Sequence, residues 1–119
     1  MNSSLTNGAI SELMCASMLL DHGWAVAFPF THQNPWDMII YKEGKSRTVQ
    51  VKGAEFAENT FTVIKAKWEN YNAVDYIILH DRIQQNWYIF TKGELDGRRT
   101  ITLNPAMLQQ QLNNWKRIK

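Results

Sequence analysis

The stretch Trp36–Lys52 limits the possible folds of this 119-residue chain more than any other part of it. It reads WDMIIYKEGKSRTVQVK, with two runs of β-forming residues around the polar pair Glu43-Gly44, and this pattern predicts a β-hairpin. A two-residue turn would place Asp37 opposite Gln50, whereas a four-residue turn would place Asp37 opposite Lys52. Both registers bring a carboxylate, an amide and an ammonium group together on a small sheet, and such polar clusters often mark functional sites.

A helix is predicted before this hairpin, from the serines and threonine at positions 3–6 to about His22, with Gly23 ending it. Its apolar stripe is predicted from the helical spacing of seven residues, which are Ala9, Ile10, Leu13, Met14, Ala16, Ser17 and Leu20. Glu12 falls just outside the edge of that stripe. The Glu12 carboxylate can therefore point along the surface of the sheet while the aliphatic part of the side chain is packed.

The rest of the chain predicts further strands and helices around the hairpin. Strands are expected at 24–30, 60–64, 75–80 and 86–91, and helices at 65–72 and from Pro105 to about Arg117, with a basic connection at 92–100. This order indicates an α/β or α+β fold, a mixed sheet flanked by helices. The length favours a single domain covering residues 1–119.

Composition and charge exclude several classes of protein. The chain is 45% hydrophobic and 20% charged, which is typical of a globular protein and not of a disordered one. It has one cysteine, no apolar run long enough to span a membrane and a polar start, so we expect a cytoplasmic protein with no internal disulfide and no membrane partner. The net charge is +2, with the basic excess in residues 62–119, which alone does not demonstrate a nucleic-acid partner.

Two carboxylates and an amide suggest a chemistry for the polar cluster. Together with a backbone carbonyl, Glu12, Asp37 and Gln50 form a set of hard oxygen donors suited to Mg²⁺ or Mn²⁺. Lys52 could orient an attacking water and neutralise charge on a phosphate. The set therefore suits hydrolysis of a phosphodiester bond.

The same residues carry a resemblance to a known family. A helix glutamate, then Pro35-x-Asp37 at the head of a strand, then Gln50-x-Lys52 on the next strand resembles the PD-(D/E)XK nuclease superfamily. The phrases GAISE and LLDHGWAV resemble its small resolvase-type members, which include archaeal Holliday junction resolvases and related endonucleases of mobile elements and phages. The resemblance covers about residues 8–90.

The resemblance implies a fold, an activity and a role for each site residue. The fold would be the restriction-endonuclease-like αβββαβ core, and the activity would be that of a metal-dependent endodeoxyribonuclease. Selectivity for branched DNA, as in the Holliday junction resolvases, is a further expectation from the resemblance. Asp37 would be the central ligand of Mg²⁺, for which Mn²⁺ could substitute, and Glu12 would add a second carboxylate. Gln50 and the backbone carbonyl of Val51 would complete the ligand set, and Lys52 would act on the attacking water and the scissile phosphate.

Two departures from the family pattern leave alternatives open. Trp36 separates Pro35 from Asp37, and Gln50 stands where the family usually has a carboxylate. A neutral ligand would weaken metal binding, so the chain could instead be a catalytically impaired nucleic-acid-binding module of the same fold. A protein-interaction domain is the third possibility, for which the low net charge is the only indication.

Basic and polar side chains around the hairpin are candidates for contacts with the DNA backbone. The candidates are Lys42, Lys45, Arg47, Lys65, Lys67, Arg98 and Arg99, with His32, Gln33 and Asn34 on the loop before Asp37. Because a nuclease that cuts two strands usually needs two active sites, we expect a homodimer whose interface uses exposed aromatic residues.

Overall fold

The structure is a computed structural model that describes residues 3–31, 35–54, 60–62, 73–96 and 100–119. Within these residues the elements are one α-helix, seven strands and a 3-10 turn: α1 (Ser3–Asp21), β1 (Ala25–Ala27), β2 (Met38–Lys42), β3 (Lys45–Ala54), β4 (Thr60–Thr62), β5 (Tyr76–Asp81), β6 (Asn86–Thr91), β7 (Thr100–Thr102) and the turn Trp115–Arg117. The helix predicted at 65–72 lies outside the described residues. Within the part of the chain that is described, no helix is long and apolar enough to cross a membrane.

A mixed five-stranded sheet in the order β1-β2-β3-β5-β6 organises the molecule. Its first three strands are antiparallel, β3 and β5 run parallel, and β5 and β6 are again antiparallel. This arrangement confirms the predicted mixed sheet and its restriction-endonuclease-like fold. A two-stranded sheet of β4 and β7 lies beside it; β7 was not predicted, because three residues are too few to give a strand signal.

The hairpin forms with a two-residue turn, which decides between the two predicted registers. Lys42 pairs with Lys45, and the two turn residues have positive φ angles of 52° at Glu43 and 80° at Gly44. Two successive positive φ values define the turn that matches the twist of paired strands, and glycine adopts such a φ without strain. The register extends as far as Met38 opposite Val49, and beyond it Asp37 N donates to Val49 O, so Asp37 lies beside the segment of β3 that carries Gln50 without being paired with Gln50 in the ladder.

The helix α1 packs on the sheet through a different face from the predicted one. Its buried residues are mostly small, namely Ser11, Cys15, Ala16 and Leu19. Most of the predicted stripe is instead exposed, with 62% exposure at Leu13 and 59% at Leu20. The core on this side contains Trp24, Trp87 and Trp115. Because these large rings already fill the space, the helix approaches the sheet with small side chains and leaves its larger ones outside.

The predicted last helix, Pro105 to about Arg117, is wrong. Most of this segment forms turns, and its backbone pairs with the free edge of β6: Asn113 N donates to Trp87 O (2.6 Å) and Ile89 N donates to Gln111 O (3.0 Å). Asn113 also has a positive φ of 49°, which a helix cannot accommodate. Satisfying the backbone groups of an edge strand therefore prevails over local helix propensity.

Candidate active site

Asp37 is fixed at the point where β2 begins. Its backbone N–H donates to Val49 O (2.8 Å), and its Oδ2 accepts a hydrogen bond from Val51 N (2.7 Å). The preceding Trp36, which interrupts the literal Pro-Asp pair, packs against the core cluster on one side of the sheet. The aspartate is thus held rigidly across the strand that carries Gln50 and Lys52.

Glu12 comes to Asp37 from the helix. Burial, the negative charge of Asp37 and a hydrogen bond to Asp37 together raise the pKa of Glu12 to about 7, while Lys52 opposes the rise. Two carboxyl groups at such short range avoid repulsion by holding a proton between them. The helix and the hairpin therefore bring Glu12, Asp37 and Lys52 to one place, as the sequence predicts.

Gln50 supplies an oxygen that nothing in the described chain uses. The side chain is only 6% exposed, and its Oε1 is buried with no hydrogen-bond partner among the described residues. A buried amide oxygen without a partner costs free energy, so it usually marks a position that a ligand completes. Gln50 lies between Val49 and Val51, the two residues whose backbone groups bond to Asp37.

The backbone of Val51 also opens towards Asp37. Along a strand, the N–H and C=O of one residue point to the same side, and this side alternates from residue to residue. Val49 O and Val51 N both bond to Asp37, so the carbonyl of Val51 faces that side too. At this point β2 has not yet begun, since its first pair is Met38 with Val49.

The residues around Asp37 offer oxygen donors of the kind that bind a divalent cation. In the part of the chain that the structure describes, no group of three or more His, Cys, Asp or Glu could hold a metal ion. The oxygens assembled here are of mixed type, from the carboxylates of Glu12 and Asp37, the amide of Gln50 and the carbonyl of Val51. Mg²⁺ commonly uses one or two carboxylates with other oxygen ligands, so this set suits it.

Three buried polar groups near this site were missed by sequence reasoning. Ser11 and His80 are buried and bonded to each other, and Cys15 lies on the buried face of α1, where burial, Asp37 and Glu12 all raise the pKa of its thiol. The spacing of Ser11 and Cys15 with Leu19 is helical, so a second, less apolar stripe was visible in the sequence. Their partners on the sheet were not.

The basic residues of the hairpin lie at its turn, away from Asp37. The turn is five strand residues from Asp37, roughly 17 Å. Lys42 donates to His22 O (3.0 Å) and Arg47 donates through Nε to Lys119 O (2.9 Å), whereas Lys45 is exposed. A DNA-binding role for these residues stays a prediction. The other candidates, His32, Gln33, Asn34, Lys65, Lys67, Arg98 and Arg99, lie outside the described residues.

Comparison with known proteins places this geometry in a family. The family model described as PD-(D/E)XK endonuclease matches residues 2–90, which contain α1, the whole hairpin and the site. The chain belongs to the PD-(D/E)XK endonuclease family. Membership of this family and the nuclease-like fold support nuclease activity.

Two individual proteins extend the comparison. The chain is 29% identical over 107 residues to Protein 5.3 of Escherichia phage T7, an alignment that covers 85% of this chain and 91% of that protein. The structure of the present chain resembles that of the bacterial homing endonuclease I-Ssp6803I, with a TM-score of 0.85. The sequence identity is 19%, and the match covers 99% of this chain and 92% of the homing endonuclease. At that identity the structural likeness shows the fold.

Proposed function

We propose that this PD-(D/E)XK family member is a metal-dependent endodeoxyribonuclease that hydrolyses phosphodiester bonds at the site of Glu12, Asp37, Gln50 and Lys52. The observation that carries the proposal is the convergence of Glu12 and Asp37, whose proximity contributes to raising the pKa of Glu12 to about 7. A structural carboxylate normally finds a cationic or N–H partner. Here a carboxylate meets a second carboxylate, and the neighbouring strand carries an amide oxygen with no partner among the described residues.

A divalent ion would be held by Glu12, Asp37, the Oε1 of Gln50 and the carbonyl of Val51. We expect Mg²⁺, with Mn²⁺ as a substitute, because both accept oxygen ligands of this kind. When bound, such an ion stabilises negative charge on a phosphate and makes water a better nucleophile at neutral pH. The ion would also replace the proton held between the two carboxyl groups.

Lys52 supplies the positive charge of the site. It is half-buried on β3 and close enough to Glu12 to lower the pKa of that carboxyl. An ammonium group in this position can bind a non-bridging oxygen of the scissile phosphate and orient the attacking water. Asp37 has the complementary task, since its bond to Val51 N fixes the carboxylate before any substrate arrives.

Four further expectations belong to the same proposal. The substrate is DNA, as expected of a PD-(D/E)XK endonuclease, and the resemblance to resolvase-type members makes branched DNA the preferred form. The nuclease acts as a homodimer, because cutting two strands needs two sites, and residues 1–119 form one domain. The aromatic interface expected for the homodimer excludes Trp87 and Trp115, which are both buried in the core.

The test is cleavage of linear duplex, single-stranded and four-way-junction DNA in Mg²⁺, Mn²⁺ or EDTA. We expect cutting that needs the metal and is abolished in Asp37→Ala and Lys52→Ala. Asp21→Ala and Lys92→Ala are matched controls at exposed positions and should retain activity. Salt-sensitive DNA binding without cutting would overturn the proposal in favour of a binding module, and the absence of both binding and cutting would favour a protein-interaction domain.

A further inference from the structure

A buried polar pair connects the helix to the sheet just beside the site. Ser11 is 1% exposed and His80 is fully buried, and Ser11 Oγ lies 2.9 Å from His80 Nδ1. The two residues are 69 positions apart in the chain. The activity proposed above uses neither of them.

The surroundings of His80 fix both its orientation and its tautomer. Its ring stacks on Trp87 with 3.8 Å between centroids and an interplanar angle of 4°. Gln85 Nε2 donates to Arg82 O (2.8 Å), which turns Gln85 Oε1 towards His80 Nε2 at 3.3 Å. Burial lowers the pKa of His80, which favours the neutral ring. Because Gln85 presents an oxygen to Nε2, the matching tautomer donates from Nε2–H to Gln85 and accepts at Nδ1 from the Ser11 hydroxyl.

The pair sits directly next to the residues of the site. Ser11 precedes Glu12 on α1, and His80 follows Leu79, which pairs with Lys52 across the parallel strands β3 and β5. A Cβ at Gly53 would lie 3.4 Å from Ser11 Oγ, so the helix passes very close to the sheet here. One hydrogen bond therefore joins the helix turn that carries Glu12 to the strand pair that carries Lys52.

The apolar contacts of the helix with the sheet cannot set its position along the sheet equally well. Cys15, Ala16 and Leu19 meet the sheet through apolar surface, and apolar contact is non-directional. A hydrogen bond is short and directional. Without it, α1 could slide or roll by a fraction of a turn while keeping those apolar residues buried.

We propose that Ser11 and His80 are a positioning pair that sets the place of the Glu12 carboxylate relative to Asp37 and Lys52. This inference rests on the proposed nuclease function. The pair contacts neither substrate nor cation, and it acts through Glu12. Interactions that orient a metal ligand typically change metal affinity or activity by about 10- to 100-fold when they are removed.

The experiment compares Ser11→Thr with Ser11→Val, because these side chains have the same shape and only threonine has a hydroxyl. Both variants are assayed well below their melting temperatures, for DNA cleavage and, by calorimetry, for binding of Mn²⁺ alone. We expect the valine variant to have a kcat about tenfold lower than the threonine variant, an unchanged KM for DNA, and about tenfold weaker Mn²⁺ binding. Ser17→Val, on the exposed face of α1, should match wild type.

Equal kcat and equal Mn²⁺ affinity in the two variants would overturn the inference, since a purely structural bond changes stability alone. If valine at position 11 prevents folding, Ser11→Ala removes the hydroxyl without added volume and should show the same losses against wild type. Wild-type protein that neither binds Mn²⁺ nor cuts DNA would instead overturn the proposed function. Because the wild type is assayed before the variants, this outcome is distinguishable from a failure of the positioning role.

Discussion

Two half-buried glutamates in this chain meet opposite surroundings. Glu94 accepts hydrogen bonds from Arg117 Nη2 (2.8 Å) and Thr91 N (2.6 Å). Burial acts to raise the pKa of Glu94, but these donors outweigh it and hold that pKa below its usual range. Glu12 meets the carboxyl of Asp37 instead, and burial together with that neighbour raises its pKa to about 7.

The contrast separates a carboxylate that the chain satisfies by itself from one that it leaves incomplete. Glu94 ties the C-terminal segment to the turn after β6 and needs nothing from outside. Glu12 and Asp37 repel each other unless a proton or a cation lies between them. The incomplete pair is therefore the one that we expect to bind a divalent ion, and four predictions test this difference.

The largest effect should come from Asp37→Asn. The change keeps the shape of the side chain and removes one of the two carboxylates, so the bound ion loses its central ligand. We expect cleavage to fall by roughly three orders of magnitude, since a divalent ion supplies several kcal/mol of charge stabilisation. Single-turnover cleavage of junction DNA measures this loss. Glu94→Gln is the matched control, and a comparable loss in that variant would remove the contrast.

The second prediction concerns the free energy of unfolding, which should depend on Glu94 and not on Asp37. Glu94→Gln weakens a charge-assisted pair and should lower the free energy of unfolding by about 1.5–3 kcal/mol. Asp37→Asn should not lower the free energy of unfolding of the metal-free protein, because it removes a repulsion. Urea denaturation in EDTA measures both values. An equal destabilisation in the two variants would contradict the account.

The third prediction concerns the pH dependence of stability without metal. The folded-state pKa of Glu12 is about 7, above its ordinary value of 4.5, so its contribution is present at low pH and is lost as pH rises from about 4.5 to 7. Glu94 has a lowered pKa, so its contribution is present above its ordinary pKa and is lost only as pH falls below it. Urea denaturation at pH 5, 6, 7 and 8 should show a decline in wild type that Glu12→Gln abolishes. A decline that persists in Glu12→Gln would assign it to another group.

The smallest effect is expected from Gln50→Glu. This change adds a negative charge at the oxygen that has no partner, so the metal concentration for half-maximal activity should fall, on the order of tenfold. Titration of Mg²⁺ against cleavage measures it, with Gln109→Glu as a control on an exposed glutamine. An unchanged titration would remove Gln50 from the ligand set.

Local signals in the sequence predicted the parts of the site that depend on neighbouring residues. The hairpin followed from Glu43-Gly44 and the alternation of its strands, and this placed Asp37 beside the strand that carries Gln50 and Lys52. The strand β6 was predicted with the bounds that the structure shows, Asn86–Thr91. These elements are determined by turn chemistry and strand alternation, which a single sequence displays directly.

Contacts between distant segments account for what sequence reasoning got wrong or missed. The buried face of α1 was mis-assigned because its small residues match a surface crowded by tryptophans from three other places in the chain. The last helix was replaced by turns because the edge of β6 offered its backbone partners. The bond between Ser11 and His80 joins residues with no shared pattern, so no local signal reveals it.

Anomalous X-ray scattering from crystals soaked in Mn²⁺ is the most direct test of whether Glu12 and Asp37 bind a divalent ion. A cation between the carboxylates of Glu12 and Asp37, with the Gln50 Oε1 as a further ligand, would give an anomalous peak at that position, and the peak should vanish in Asp37→Asn crystals. An ordered site with no peak there at millimolar Mn²⁺ would contradict the claim that this carboxylate pair binds a divalent ion.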